Sequence, residues 1–210
     1  MLLAIELSGP RNSVALWNGE TTADVDFSEQ RGKGLMQAVQ TLLANENAER
    51  SDVRGVLVGI GPGSYTGLRI ACSAGIMLGY ALDIPCAGLP SFDAAAFAQN
   101  HQNEKLHLIL DAYRKEVYHA TYLRRGDSLE TLQMPQVISL ADGEAQVGAD
   151  AFLGDVRFAP HGVQLRTTCQ ASAVALLLYA QALGVQEDGS GLNQLTSAEP
   201  LYLRPAAFRA

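Results

Sequence analysis

The chain has 210 residues, of which 48% are hydrophobic and 18% are charged, and its formal net charge is −7. This length and composition predict a globular protein that buries its core in one domain or in two small lobes. The negative charge excludes a general attraction to nucleic acid or to anionic membranes, so RNA binding would need a local basic patch.

The first elements predicted are three strands of an antiparallel meander. The runs "LLAIEL" and "SVALW" are rich in branched residues and are separated by the breaker "GPRN", and "TADVDF" then alternates apolar and polar residues. Asn18-Gly19 predicts a type I′ turn between the second and third strands, because both residues tolerate positive φ. A helix is expected within residues 33–47, where Leu35, Val39 and Leu42 recur at helical spacing.

A strand, a glycine-rich loop and a long helix follow. "VRGVLVGI" reads as the strand, "GIGPGSYTGLR" at residues 59–69 contains the loop, and the helix is expected from about Thr66 to Leu82. "DIPCAGL" predicts a further strand, and "SFDAAAFAQN" predicts a helix capped by Ser91.

The same order of elements then begins again. "LHLILDAYRKEVYHATYLRRGD" contains an apolar strand that ends in an acid, a polar turn, a second strand and a hairpin signal at Gly126-Asp127. Glu6 and Asp111 occupy matching places, so we expect a duplication with lobes at residues 1–100 and 101–210. "TTCQASAVALLLYAQALG" predicts a late helix that Gly184 stops, and the C-terminal tail could pack back on the body of the protein.

The glycine-rich loop fits none of the specific phosphate or nucleophile motifs. The Walker spacing and its lysine are absent, no glycines flank Ser64 at the spacing of a nucleophile elbow, and the dinucleotide fingerprint is missed by one residue. Two interpretations stay open, a capped strand-to-helix turn without a ligand and an anion site at the start of the helix. The candidate anion or nucleotide residues are Gly61, Gly63, Ser64, Thr66, Glu6 and Asp111.

The helix after the loop carries small residues at every fourth position and is apolar over most of its surface. The small residues could let the helix approach its own sheet, or they could face another chain. We favour the second interpretation and extend the surface to the preceding helix. The predicted partner interface is Leu35, Val39, Leu42, Gly67, Leu68, Ala71, Cys72, Gly75 and Gly79.

Catalysis by Glu6 and Asp111 is the minor alternative. Strand-end carboxylates hold the metal of a nuclease or the magnesium-nucleotide of a phosphotransferase. The fourth strand, however, ends in Gly59-Ile60-Gly61 without a further acid, and the second half has no convincing glycine-rich phosphate loop. We therefore predict no catalytic residue, and the four histidines show no metal-binding spacing.

Cysteine usage and the N-terminus favour a cytoplasmic location. The three cysteines are widely spaced and form no C-x-x-C pair, which argues against a disulfide framework and against a zinc site. No basic region precedes the first apolar run, and the most apolar window, Ile70 to Leu82, is shorter than the roughly 20 residues that span a membrane.

Several stretches together resemble the TsaB (YeaZ) family, which acts in synthesis of the threonylcarbamoyl modification of tRNA. They are "LLAIELS", "GIGPGSYTGLRIACSAGIMLGYAL", "GLPSFDAAA", "LDAYRKEVYHATY" and "AEPLYLR", in the order in which the family has them. The resemblance implies an α/β, actin-like ATPase (ribonuclease-H-like) duplicated fold. Each of its two lobes would have a mixed sheet that starts as an antiparallel meander and is flanked by helices.

The resemblance also implies a role as a non-catalytic scaffold. The family is a degenerate paralogue of the catalytic subunit TsaD and pairs with it through helices of the first lobe, and the ATPase TsaE joins the pair. ATP and metal would belong to these partner subunits, tRNA would be met only through the complex, and the isolated chain could homodimerise.

Three departures from the family pattern weaken the case for nucleotide chemistry in this chain. Glu6-Leu7 replaces the usual Asp-Thr pair, a histidine is missing from "SEQRGKGLMQ" before the first helix, and Tyr113 replaces an arginine. An active small-molecule kinase or ATPase is the alternative function. A glycoprotein protease, a label once attached to relatives of TsaD, has almost no support because no motif places a nucleophile and base.

Overall fold

A computed structural model describes residues 1–27, 34–99, 103–147, 151–154, 165–167 and 171–204. In chain order, the elements of the first half are β1 (Leu2–Glu6), β2 (Asn12–Trp17), β3 (Thr22–Phe27), α1 (Leu35–Asn45), β4 (Gly55–Gly59), α2 (Tyr65–Leu82), β5 (Cys86–Leu89) and α3 (Ser91–Phe97). Those of the second half are β6 (Lys105–Asp111), β7 (Glu116–Arg125), β8 (Ser128–Ser139), α4 (Leu140–Val147), β9 (Ala151–Gly154), β10 (Leu165–Thr167) and α5 (Ala173–Ala182). The segment around Arg31, where the family's histidine would stand, lies outside the described residues.

The strands form two five-stranded sheets with the same topology. The first has the order β3-β2-β1-β4-β5 and the second has the order β8-β7-β6-β9-β10. In each sheet the central strand pairs antiparallel with the strand that follows it and parallel with the fourth strand of its lobe. Glu6 and Asp111 are the last residues of the two central strands. The predicted duplication is therefore confirmed in the strand order.

Helices cover both faces of the first sheet. On one face, α1 and α2 share a core with the inward residues of β1, β2 and β4, among them Leu3, Ile5 and Val58. On the opposite face, Leu2 and Leu57 pack against α5, which is nearly all apolar and follows the second sheet in the chain. Its first amide, that of Ala173, donates to Ser13 Oγ at 2.9 Å. By its contacts α5 thus belongs to the first lobe, although the predicted boundary at residue 100 assigned it to the second.

Helix α3 joins the two sheets. Ala94 lies in the core shared with α5, whereas Phe92 packs with Leu106 and Tyr122 of the second sheet. The buried Tyr122 hydroxyl donates to Asp93 Oδ1 at 2.8 Å, and burial raises the pKa of that carboxyl. Helix α3 thus packs both with α5 of the first lobe and with the second sheet.

Two local predictions are wrong. Trp17 pairs with Thr22, so the hairpin connection has four residues, and only the glycine of Asn18-Gly19 has a positive φ. The Asn18 side chain accepts from the amides of the two residues before β3, which stabilises this longer turn in place of type I′. Ser91 does not cap α3; Pro90 occupies the cap position, and Ser91 Oγ instead accepts from the Gly61 amide at 3.0 Å.

Candidate functional site

The glycines of the loop between β4 and α2 let it pack against the end of β1. Gly61 has a φ of 103°, which an L side chain rarely adopts. A Cβ at Gly63 would overlap the carbonyl oxygen of Ser8, and one at Gly67 would overlap that of Leu7. Two of these glycines are therefore required by contact with the protein's own backbone.

The polar groups of the loop bond to neighbours within the chain. The Ser64 amide donates to the carbonyl oxygen of Ser8 at 2.7 Å, and Ser64 Oγ caps α2 by accepting from the Gly67 amide at 3.2 Å. The Gly61 carbonyl accepts from the Ser91 amide at 2.8 Å. These bonds match the capped-turn interpretation. Thr66 is exposed beside them, and anion binding at this loop stays a prediction.

Glu6 lies beneath the loop and is fully buried. Its Oε1 accepts from the Ser8 amide at 2.6 Å, and its Oε2 has no hydrogen-bond partner. A Cβ on Gly59 would overlap Oε2, so the carboxyl group fills the space that this glycine leaves. Burial raises the pKa of Glu6, an effect that the nearby Ser8 and Ser91 only partly offset. A carboxyl group in this position is held away from any ligand in solvent.

Replacing Glu6 with glutamine should remove a pH dependence of stability. The folded state binds the Glu6 proton more tightly than the unfolded state. The contribution of this proton to the free energy of unfolding is therefore complete below the ordinary pKa of 4.5. It is lost as the pH rises through the raised folded pKa, by about 1.4 kcal/mol per pH unit between the two values. We expect urea unfolding to show the wild type losing stability relative to Glu6→Gln as the pH rises above 4.5.

Comparing the wild type with Glu6→Gln separates the contribution of Glu6 to the pH dependence of stability from the contributions of other titrating groups. Burial lowers the pKa of His119 to about 4, which makes stability fall as the pH decreases from 6.5, but this contribution is common to both proteins. A difference in unfolding free energy that stays constant from pH 5 to pH 8 would show that Glu6 is ionised in the folded protein throughout that range.

Asp111 belongs to the second lobe, whereas the glycine loop follows β4 of the first. It ends β6 in the second sheet, and its Oδ1 accepts from the Tyr113 amide at 2.7 Å. This bond starts a turn in which Tyr113, Arg114 and Lys115 all have positive φ. The geometry is that of a turn-forming aspartate.

The residues of the predicted partner interface are buried, which corrects that prediction. All nine predicted residues are buried within the chain itself, so their surfaces are not available to a second protein. A Cβ on Gly75 would overlap Val58 Cγ2, and one on Gly79 would lie 3.0 Å from the carbonyl oxygen of Ile84. The small residues therefore serve the contact of α2 with its own sheet. The buried set is Leu35, Val39, Leu42, Gly67, Leu68, Ala71, Cys72, Gly75 and Gly79.

The outer face of the same two helices carries exposed apolar side chains. Met77 is 70% exposed and Tyr80 is 91% exposed on α2, Ile76 is about half exposed on the same helix, and Met36 is about half exposed on α1. Charged residues make up 18% of the chain, yet α1 with 11 residues and α2 with 18 contain only Arg69 between them. We call Met36, Ile76, Met77 and Tyr80 the outer face. Grouped exposed apolar side chains, such as Ile76, Met77 and Tyr80 on one side of α2, are typical of a protein-binding surface.

The outer face was not predicted from the sequence because α2 is apolar on nearly every side. Periodicity could not separate its core side from its solvent side. The bulky residues Ile76, Met77 and Tyr80, which interleave with the small ones, were the available signal, together with the lack of charge.

The C-terminal segment crosses the loop and the start of α2. We call residues 196–204 the strap. Thr196 bridges Gly88 at the edge of β5, and the Leu201 amide donates to the carbonyl oxygen of Ile60 at 2.8 Å. Tyr202 then stacks on Tyr65, as the tail predicted to pack back would do. The strap thus lies against the first sheet at the carboxyl ends of its parallel strands, where open α/β sheets usually bind their ligands.

A buried histidine pair lies in the second sheet. His107 Nδ1 is 3.0 Å from His119 Nε2, and because the pKa of His119 is lowered, that ring is neutral at pH 7. Across the described ranges no three His, Cys, Asp or Glu side chains are grouped so as to hold a metal ion. Within the same ranges, no helix has both the length and the apolar character to cross a bilayer.

Comparison with known proteins identifies relatives along most of the chain. A family model described as TsaD, tRNA N6-adenosine threonylcarbamoyltransferase, matches residues 26–183. The tRNA threonylcarbamoyladenosine biosynthesis protein TsaB of Bacillus subtilis is 31% identical over 144 residues, which cover 67% of this chain and 63% of that protein. The protein of the same name from Haemophilus influenzae is 31% identical over 145 residues, covering 66% and 61%. The match thus spans less than two thirds of the length of these curated relatives.

The fold has a solved counterpart. YeaZ from Pseudomonas aeruginosa superimposes with a TM-score of 0.76 at 23% identity, covering 96% of this chain and 99% of that one. This similarity, together with the match to the TsaD family model, confirms the actin-like, duplicated α/β fold. Because the family model matches well over half of the chain, and curated relatives match it as well, the chain belongs to the TsaD family, in the TsaB (YeaZ) branch that the sequence motifs indicated.

Proposed function

We propose that the chain is a non-catalytic subunit in formation of the threonylcarbamoyl group on the tRNA adenosine adjoining the anticodon. In this proposal it pairs with a TsaD-like catalytic subunit in the cytoplasm, and a TsaE-like ATPase joins the pair. The observation that carries the proposal is the outer face, an exposed apolar and nearly uncharged surface on a member of this family. A scaffold needs such a surface, whereas an independent enzyme would need an open site.

The groups that could do nucleotide chemistry are buried or packed against the chain itself, which supports a scaffold role. Glu6 is buried under Gly59, and Gly63 and Gly67 are pressed against the end of β1. The strap adds a further layer over the same end of the first sheet. ATP and metal then belong to the partner subunits, and the net charge of −7 is consistent with tRNA being reached only through the complex.

Reconstitution tests the role directly. Purified TsaD-like and TsaE-like subunits from the same genome would be supplied with threonylcarbamoyl-adenylate, ATP and tRNA, with or without this chain. We expect efficient tRNA modification only when the chain is present, and none from the chain alone. An equal rate of modification without the chain would contradict a scaffold role.

The alternative, an active small-molecule kinase or ATPase, has its own test. Calorimetric titration of the isolated chain with magnesium and ATP should show no binding if Glu6 and the loop are committed to internal contacts. Micromolar binding that is lost in Ser64→Ala and Thr66→Ala would revive both the kinase alternative and the predicted anion site.

A further inference from the structure

The strap places a second aromatic ring beside the start of α2. The rings of Tyr65 and Tyr202 stack with centroids 4.9 Å apart and planes inclined by 29°. The guanidinium carbon of Arg69 lies 5.5 Å from the centroid of the Tyr65 ring, and Arg69 Nη1 donates to Tyr65 Oη at 3.3 Å. Both tyrosines stay about half exposed, so the three side chains form a surface feature rather than part of the core.

The position of Tyr202 is set by contacts on either side of it in the strap. Before it, the Leu201 amide bonds to Ile60, and Thr196 is held by two hydrogen bonds to Gly88. After it, Arg204 forms an ion pair with Glu116 of the second sheet. Because the strap is held on both sides of Tyr202, this residue loses little conformational freedom when another molecule binds against its ring.

Arg69 is the only charged residue of α1 and α2, and among the described residues no carboxylate pairs with it. One of its five N–H donors is used by Tyr65, which leaves donors directed to solvent. A guanidinium group held against aromatic rings is best satisfied by a carboxylate, which can accept two parallel hydrogen bonds.

These three side chains continue the outer face. On a helix, residues 65, 69, 73, 76 and 80 follow one another on one side, so Tyr65 and Arg69 lie in line with Ile76 and Tyr80. We propose that Tyr65, Arg69 and Tyr202 bind a carboxylate side chain of the protein that docks on the outer face. This inference rests on the proposed function and adds the strap to the docking surface. The helices α1 and α2 carry no acidic residue and one arginine, which is complementary to an acidic residue in the partner.

Binding of the purified TsaD-like subunit, measured by calorimetry at about 50 and 300 mM salt, tests the inference. Arg69→Ala should weaken binding about 10-fold or more at the lower salt and flatten the salt dependence. Arg69→Lys should restore the salt dependence but only part of the affinity, because lysine cannot form the bidentate pair. Tyr202→Ala should weaken binding as well, whereas Tyr202→Phe, which keeps the ring, should bind as the wild type does.

Arg125→Ala is the matched control. Arg125 is an exposed arginine on β7, ion-paired only loosely with Glu130 at 3.9 Å, and its loss should leave the affinity within about two-fold of the wild type. Wild-type affinity and salt dependence in Arg69→Ala would overturn the inference while leaving the proposed function intact, provided that the pair still forms. Failure of the wild type itself to bind the TsaD-like subunit would instead overturn the proposed function, and this inference with it.

Discussion

Met77→Glu is expected to abolish binding of the TsaD-like subunit while leaving the fold intact. Met77 is 70% exposed and projects from the outer face, so a carboxylate there stays hydrated in the isolated chain. Docking an apolar partner surface would strip water from that charge without supplying a counter-ion. We expect affinity to fall at least about 100-fold, which corresponds to about 2.7 kcal/mol.

Met134→Glu provides the matched control for this variant. Met134 is 72% exposed, almost the same as Met77, but it lies on β8, the edge strand of the second sheet. Both variants should keep the wild-type melting temperature, and only Met77→Glu should lose the partner in calorimetry. Equal binding by the two variants would show that the partner does not use the outer face.

Gly75→Leu is expected to unfold the protein or to render it insoluble. A side chain at this position would enter the contact between α2 and the first sheet, where a Cβ alone overlaps Val58 Cγ2 and lies 3.2 Å from Cys86 Sγ. Inserting extra methylene groups into a well-packed contact costs about 1–3 kcal/mol and occasionally more. That cost is a large part of the roughly 5–15 kcal/mol that stabilises a domain.

Ser73→Leu, in the same helix, is the control for Gly75→Leu. Ser73 lies on the exposed side of α2, so the added leucine would meet solvent rather than the sheet. Thermal unfolding should be close to the wild type for Ser73→Leu and strongly lowered for Gly75→Leu. A soluble Gly75→Leu protein with a wild-type melting temperature that fails only to bind its partner would restore the original interpretation of the small-residue positions.

The strands of the first lobe and the first strands of the second were predictable because each is marked locally, whereas β9 and β10 were not predicted. Breakers separate the runs at Gly9 and Gly61, and the acids Glu6 and Asp111 end matching strands, so the repeat of one lobe in the other could be seen from the residues. The hairpin after Trp17 was harder to predict, because the side chain of Asn18 was enough to stabilise a four-residue connection in place of the expected two-residue turn.

What the sequence could not show depends on contacts between distant parts of the chain. Nothing local indicates that α5 packs on the first sheet rather than on the second, because its surface is apolar all round. The small residues of α2 could equally have faced a partner, and only Val58 and Cys86 beneath Gly75 decide the matter. Tyr202 lies next to Tyr65 because hydrogen bonds hold the strap there, and such bonds leave no periodic pattern in the sequence.

Gel filtration of the chain mixed with its TsaD-like subunit at micromolar concentration tests the central claim most directly. The claim is that the chain acts by pairing through the outer face of α1 and α2. We predict a single earlier peak that contains both proteins in equal amounts for the wild type, and two separate peaks for Met77→Glu. Separate elution of the wild-type proteins, with and without the TsaE-like subunit and ATP, would contradict the claim.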